Sequence, residues 1–557
     1  MTPARDLAER FHHRWLEVHP FAATMYGVPG FDHLVPDDSE AGDEQWADEV
    51  GRFVAEADAV QSGDRDMDAD DLITLGCLRA AGDQEVAAVE SAAVEYTVTA
   101  MPFADPASFL AVAARTVLTD AEAADAYVTR LQASGEWIDR LTARVRRGAG
   151  RGRFPVAPLV EQAIGWADSV LAADEPAALM APAPPEGWDE SAGWEERRRA
   201  AAADVVKPAL ARWRDLLQQI LPDARDSDHG GLCHLPDGVE DYARAIRTHT
   251  TLPLTAEQLH DIGMREIAVL EERAVRLGED LGLNSLEEVL EALRNSAGRV
   301  PADESVAQAV DAIRRAEAET PSFFPPPLPA PCAVTPMPFV VASAGTAPHY
   351  TPPRLDGGRP GTFWFNTERP TAGTGWDLEV VAFHEAVPGH HLQLSRVQLL
   401  DALPALQRQR SFTVFSEGWG LYAEQLAEEA GLYSGTEALL GAISASLMRA
   451  ARLVLDTGLH AFGWSREKAL EFYIAHAPFP PEFLTAEVDR YLVMPGQALA
   501  YLTGKLEILQ LRAEAERRLG GRFSLPEFHA AVLDRGSLPM PVLAQSIDSW
   551  LADSVPA

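Results

Sequence analysis

The richest chemistry in this chain lies in His384-Glu385-Ala386-Val387-Pro388-Gly389-His390-His391, where three imidazoles and one carboxylate fall within eight consecutive positions. Zinc takes neutral imidazole nitrogens and ionised carboxylates, and a hydrolytic zinc site also wants a free carboxylate beside its open position. His-Glu followed shortly by His offers both. The spacing is not that of the HExxH zinc helix, in which histidines at i and i+4 share one face and the intervening Glu is the base. Here the second imidazole stands at i+6. On an uninterrupted helix, His384 and His390 would be about 9 Å apart along the axis and about 120° out of line. His391, at i+7, faces the right way but lies about 10 Å along the axis. Pro388 removes a helical donor and Gly389 accepts unusual dihedrals. The spacing therefore predicts a broken or bulged helix, with either His390 or His391 swung round to an ion held by His384. A helix-break-helix carrying ordinary histidines is the competing reading.

A third ligand has to come from elsewhere. Phe415 to Glu424 reads as a helix with carboxylates at Glu417 and Glu424, seven residues apart on one face. Glu417 is the preferred ligand, because it lies among small and aromatic residues where an unpaired carboxylate is costly to bury. Glu424 is the alternative, or the acceptor for a liganding histidine's free ring N–H. Two surface glutamates are the competing reading.

Composition narrows the classes. The chain has 557 residues, 47% hydrophobic and 24% charged, which describes a soluble globular protein of several cores. A formal charge of −37 argues against nucleic acid and anionic membrane as partners. The start of the chain lacks an apolar core and no later run reads as a membrane span, so the expected location is cytoplasmic. Cys77, Cys233 and Cys332 are few and scattered, which fits reduced thiols and excludes a cysteine zinc ribbon. Any metal must use histidines and carboxylates.

The elements that must position these residues read as helices. Ala4–Leu16, Glu44–Val60, Asp68–Glu90, Pro106–Arg147 and Trp194–Leu221 carry apolar residues at helical spacing. Thr255 with Gln258, and Ser285 with Glu288, are capping-box signatures. The basic run Arg144–Arg153 reads as a solvated helix end, and Ala177–Pro185 as a surface loop. The prolines of Thr320–Pro338 favour an extended path. Phe339–Ser343 and Gly361–Asn366 are β-prone runs that predict a small hairpin just before the histidine helix. The fold class is mainly α, with an N-terminal helical lobe over 1–230 and a catalytic lobe over 231–557, intertwined as one fold with a small hairpin or sheet beside a central cleft.

The segments HEAVPGHHLQ, SEGWGLYAE, DTGLH and EVDRYLVMPGQALAYLTGKLEILQLR resemble those of the bacterial domain of unknown function 885 family, over most of the C-terminal half. PFAATMYGVPGFD extends the likeness weakly into the N-terminal half. That family in turn looks like a distant relative of helical gluzincin peptidases such as angiotensin-converting enzyme and thimet oligopeptidase. The resemblance implies His384 and His390 as zinc ligands, Glu385 as general base, Glu417 as third ligand and Tyr501 as hydrogen-bond donor to the transition state. The two extra residues before the second histidine depart from the gluzincin pattern and leave His391 as an alternative ligand.

The expected chemistry is zinc-assisted amide hydrolysis, with Glu385 taking a proton from water and Tyr501 steadying the oxyanion. The expected substrate is a short peptide or other small amide. Tyr350 and Asn366 in the extended segments, and His460, Arg490, Tyr491, Gln497 and Lys505 on the late helices, are candidate substrate contacts. Asp456 and His460, at i and i+4, could pair. Two alternatives stand beside this reading: an iron enzyme with two histidines and one carboxylate, and a metal-free binding protein that has lost activity.

Overall fold

The computed structural model describes residues 2–63, 67–296, 301–337, 348–354, 357, 359–366 and 376–554. Helices dominate among them, and the named strands form one three-stranded sheet, so the fold is mainly α. The chain divides into two compact units. One comprises residues 6–63 with 81–241, and the other residues 2–5, 64–80 and 242–557.

The first unit is built around α1 (Ala121–Gly150), whose N-cap Asp120 accepts from the Ala123 N–H. Its buried stripe of Tyr127, Leu131, Trp137, Ile138 and Leu141 packs in one core with Trp213, Leu216 and Leu217 of α2 (Lys207–Ile220). The run read as one helix from Trp194 is Ser191–Ala201, a π-helical turn over Ala202–Val206, and then α2. Pro106–Arg147 likewise divides into Ala107–Ala113 and α1.

The basic run is a solvated helix end only in part: Arg146, Gly150, Arg151 and Gly152 are exposed, but Arg144 and Arg153 are buried. Arg144, Arg147, Arg151 and Arg153 converge on Glu95, which is 1% exposed, with guanidinium nitrogens 3.6–3.9 Å from its oxygens. Burying a carboxylate is costly without opposite charge nearby, and the run supplies that charge.

In the second unit, α3 (Ala256–Gly278) begins with the expected Thr255–Gln258 capping box. Next come α4 (Ala302–Phe323), α5 (Leu378–Glu385), α6 (His390–Gln398), α7 (Thr413–Glu429) and α8 (Thr436–His460). Later helices include α9 (Pro481–Val493), α10 (Ala500–Leu519) and α11 (Leu525–Leu533), and the last described helix is Met540–Ser554. Helix α8 is long and apolar enough to cross a membrane, yet 89% of its apolar window is buried within the protein. A helix apolar on every side is what the centre of a large helical unit requires.

The sheet has the order β1-β3-β2, with β1 (Ala333–Pro336) parallel to β3 (Thr362–Phe365) and β2 (His349–Thr351) antiparallel to it. The predicted second run is therefore β3, but its hairpin partner is His349–Thr351. Phe339–Ser343 lies outside the described residues. The proline-rich stretch is extended only in part: Thr320–Phe323 complete the last turn of α4 despite Pro321, and Ala333–Pro336 become β1.

His529 on α11 is fully buried beside Phe324, Trp419 and Tyr422. The Tyr422 hydroxyl donates to Nε2 at 2.8 Å, and Nδ1–H donates to the Phe323 carbonyl at 2.9 Å. Burial pushes this imidazole down to about 3. An unfolded histidine takes a proton near pH 6.5, so between about 6.5 and 3 the unfolded chain binds more protons here and stability falls as pH falls. Asp456, which burial raises to about 7, works in the opposite sense. The expected result is thus a difference between variants. His529→Gln should flatten the pH dependence of unfolding below 6.5 by about 1.4 kcal/mol per pH unit relative to wild type. Urea unfolding at pH 4.5, 5.5 and 6.5 measures it, and parallel slopes would refute it.

Candidate metal centre

The histidine helix ends where the sequence requires. Ala386 N–H closes the last turn of α5 on Ala382 O at 2.9 Å, and Ala386 itself turns to φ −103°, ψ −104°. The chain loops out through Val387-Pro388-Gly389 and returns, so that the Ala386 carbonyl accepts from the His391 N–H at 3.0 Å and α6 begins. Gly389 permits the return, since a Cβ there would lie 2.5 Å from the carbonyl carbon of His384. The Trp419 indole donates to the Pro388 carbonyl at 3.0 Å and ties the loop to α7. The break brings the His384 and His390 rings to a centroid distance of 4.7 Å, nearly perpendicular at 83°.

Helix α7 supplies the carboxylates. Glu417 and Glu424 lie about 10 Å apart along its axis, with Gly420 between them on the same face. The His384 imidazole lies against Gly420, where a Cβ would come within 2.5 Å of its Cε1. One end of the ring meets Glu424, with Nδ1 to Oε1 at 2.8 Å, and the other faces Glu417, with Nε2 to Oε2 at 3.5 Å. His390 Nε2 is 3.6 Å from the same Glu417 oxygen. One ligand atom from each of His384, His390 and Glu417 lies within 4.8 Å of the others.

The electrostatics follow from this geometry. Burial alone would lower the His384 imidazole, but Glu417 and Glu424 outweigh it and raise it to about 9. Burial would raise Glu417, but the two imidazoles outweigh it and hold its carboxylate below the ordinary range. Glu424 is also held down against burial, by Arg449 and His384, and Arg449 Nη2 stands 3.4 Å from its Oε1. Two imidazoles and an ionised carboxylate are a donor set that can hold a metal ion such as zinc or iron, and a carboxylate on the far nitrogen of one imidazole fixes its tautomer. Side-chain exposure rises from 5% at His384 to 12% at His390 and 22% at Glu417, so solvent reaches the set from the Glu417 side.

Glu385, next to His384, is half-buried, and its Oε2 accepts the backbone N–H of Tyr350 on β2 at 2.9 Å. His391 is turned away from the cluster, with Nε2 on the Ala330 carbonyl at 2.8 Å and Nδ1 on the Tyr350 hydroxyl at 3.0 Å. Tyr501, at the start of α10, is raised by burial and by the charge of Glu417, which keeps its hydroxyl protonated. Gln497 Nε2 donates to that hydroxyl at 3.4 Å, and the Arg452 guanidinium lies over its ring at 4.4 Å.

The proposed substrate contacts are placed differently. His460 is fully buried, with Nε2 on the Tyr491 carbonyl at 2.9 Å. Tyr491 is buried too, its hydroxyl donating to Glu487 at 2.8 Å. Arg490 grips Glu487 through Nε at 3.0 Å and Nη2 at 2.9 Å and donates to Gln497 Oε1 at 2.5 Å. Arg490, Glu487, Tyr491 and Gln497 form a partly buried network that reaches the Tyr501 hydroxyl through Gln497. Asn366 is fully buried, and Tyr350 is engaged with His391 and Glu385. Lys505 is half-buried, lowered by burial against the opposing pull of Glu424 and Glu266. Asp456 does not pair with His460; it accepts from the Tyr242 hydroxyl at 2.7 Å and the Gly496 N–H at 3.0 Å. Sequence reasoning missed Gly420 and Glu487, and offered Arg449 as a partner for Asp456, whereas it stands beside Glu424. The signal for Gly420 was present, because two glycines inside one helical pattern are costly unless something lies against them.

No curated protein is significantly similar to the chain. A solved structure described as a "putative lipoprotein" from Colwellia psychrerythraea matches 99% of this chain and 99% of its own, at 25% identity and a TM-score of 0.89. A second, from Shewanella oneidensis and described as a "putative lipoprotein of unknown function", covers 97% of this chain and 98% of its own at 17% identity and a TM-score of 0.71, a likeness of fold alone. The family pattern described as a bacterial protein of unknown function (DUF885) matches residues 20–547, and the chain belongs to that family.

Proposed function

We propose that the protein is a zinc-dependent hydrolase of amide bonds, acting on short peptides or other small amides. The observation that carries this reading is the meeting of His384, His390 and Glu417 within 4.8 Å, with Glu385 next in sequence to one ligand. His384, His390 and Glu417 would hold the metal, and Glu424 would keep the His384 proton on Nδ1. Zinc in such a site acts as a Lewis acid and acidifies water. Glu385, with Oε2 held by the Tyr350 N–H, takes the proton of the attacking water on Oε1 and delivers it to the leaving amine. The Tyr501 hydroxyl donates to the oxygen that gains charge. The likeness to gluzincin peptidases supports the assignment of roles.

The test uses protein purified without a histidine tag. It should bind about one zinc per chain, lose it in Glu417→Ala, and cleave members of a mixed peptide library in a chelator-sensitive way. Zinc stoichiometry near zero after supplementation would refute the metal site, and iron in preference to zinc would favour oxygen chemistry. Bound zinc without any amide cleavage would refute the reaction. The relatives' lipoprotein descriptions do not match a cytoplasmic location, and fractionation of the source cells decides it.

A further inference from the structure

We infer that His391 is a positioning residue for Glu385, acting through Tyr350. The inference rests on the hydrolase reading for its catalytic consequence, but its geometry is independent of it. His391 is 2% exposed, and both ring nitrogens are engaged. Nε2–H donates to the Ala330 carbonyl at 2.8 Å, which leaves Nδ1 as the acceptor for the Tyr350 hydroxyl at 3.0 Å. Ser395 Oγ closes a small triangle, 3.0 Å from that hydroxyl and 3.3 Å from Nδ1. Gly361 clears the space, since a Cβ there would lie 2.8 Å from His391 Nδ1.

The Tyr350 side chain is therefore fixed at its tip, and the residue lies on β2, an edge of the sheet. An edge strand has N–H groups that no neighbouring strand takes. The Tyr350 N–H is directed to Glu385 Oε2 at 2.9 Å. A general base must be held to about 0.5 Å of its working position, and Glu385 stands at the end of a helix that is broken at the next residue. The Pro-Gly break thus yields two outcomes from adjacent histidines: His390 turns to the ligand cluster, and His391 reaches back to anchor the strand that holds the base.

The test compares His391→Leu, Tyr350→Phe, their double variant and His391→Asn, which retains an acceptor near the Nδ1 position. In the metal-free proteins, hydrogen exchange of the 348–354 segment should quicken about tenfold or more in His391→Leu and Tyr350→Phe, with the rest of the chain unchanged. Zinc affinity, measured by competition with a chromogenic chelator, should stay within about twofold of wild type. With a cleaved peptide, kcat should fall about 10- to 100-fold at unchanged KM, the double variant should be no worse than either single one, and His391→Asn should recover part of the loss. Loss of zinc affinity in His391→Leu would overturn the inference by making His391 a ligand. Unchanged exchange in both single variants, or multiplying kcat losses, would also overturn it. A wild type that cleaves nothing would defeat the hydrolase reading while the exchange measurements still decide the geometry.

Discussion

Glu385→Gln is expected to keep its zinc and lose about 10²- to 10⁴-fold in kcat. The two halves of that result have separate causes. The proposed ligands are His384, His390 and Glu417, whose ligand atoms converge within 4.8 Å without Glu385. Glutamine is close in volume to glutamate, and its carbonyl oxygen can still accept the Tyr350 N–H, so the helix end and the strand should keep their arrangement. What is lost is the ability to take a proton. Steady-state kinetics on a cleaved library peptide, with metal analysis of the same preparation, measures both quantities. Activity within a few-fold of wild type would remove Glu385 from the reaction. Loss of zinc in parallel with activity would instead make it a ligand.

The second large effect concerns the platform beneath the ligands. Gly504→Ala should destabilise the protein by more than about 3 kcal/mol and lower zinc occupancy with it. At Gly504 and Gly418 the backbones of α10 and α7 touch. A Cβ on Gly418 would lie 2.5 Å from the Gly504 Cα, and one on Gly504 would overlap the Val414 carbonyl oxygen. The obstacle is backbone on both sides, so no rotamer change relieves it, and α7 would have to move away from α10. Because α7 carries Glu417 and Glu424 while α10 carries Tyr501, that movement would separate the carboxylates from the tyrosine. Urea unfolding and zinc titration of the variant provide the check. Wild-type stability would show that the helices can part at little cost.

Much of the candidate site was legible because its chemistry is local. The impossibility of joining His384 to His390 on a straight helix could be derived from rise and rotation alone, and Pro388-Gly389 identified where the helix must break. The i, i+7 pairing of Glu417 and Glu424 also follows from helical periodicity. Contacts set by packing between distant segments were not legible. Nothing in a period of 3.6 residues tells that His391 will meet Tyr350, 41 positions away, or that Arg452 will reach Glu487, 35 positions on. The arginines of 144–153 were read only in part for the same reason: the helix end is exposed, but the buried partner of Arg144 and Arg153, Glu95, lies on a different segment. In the sheet, β propensity identified Thr362–Phe365, but the choice of His349–Thr351 as its antiparallel partner depends on register rather than composition.

The placement of His384 between two glutamates has a consequence for how the site is filled. With its imidazole raised to about 9, the ring near neutral pH carries two protons, one on Nδ1 toward Glu424 and a second on Nε2 facing Glu417. That proton neutralises part of the same charge that a metal ion would, so the two are rival ligands for one place. Metal uptake must expel it, so apparent affinity should weaken as pH falls, read as acid released when zinc is added to a weakly buffered solution. The Nε2 proton also acts as a placeholder, keeping Glu417 turned to the ring until a cation takes over, while the Nδ1 proton stays directed at Glu424.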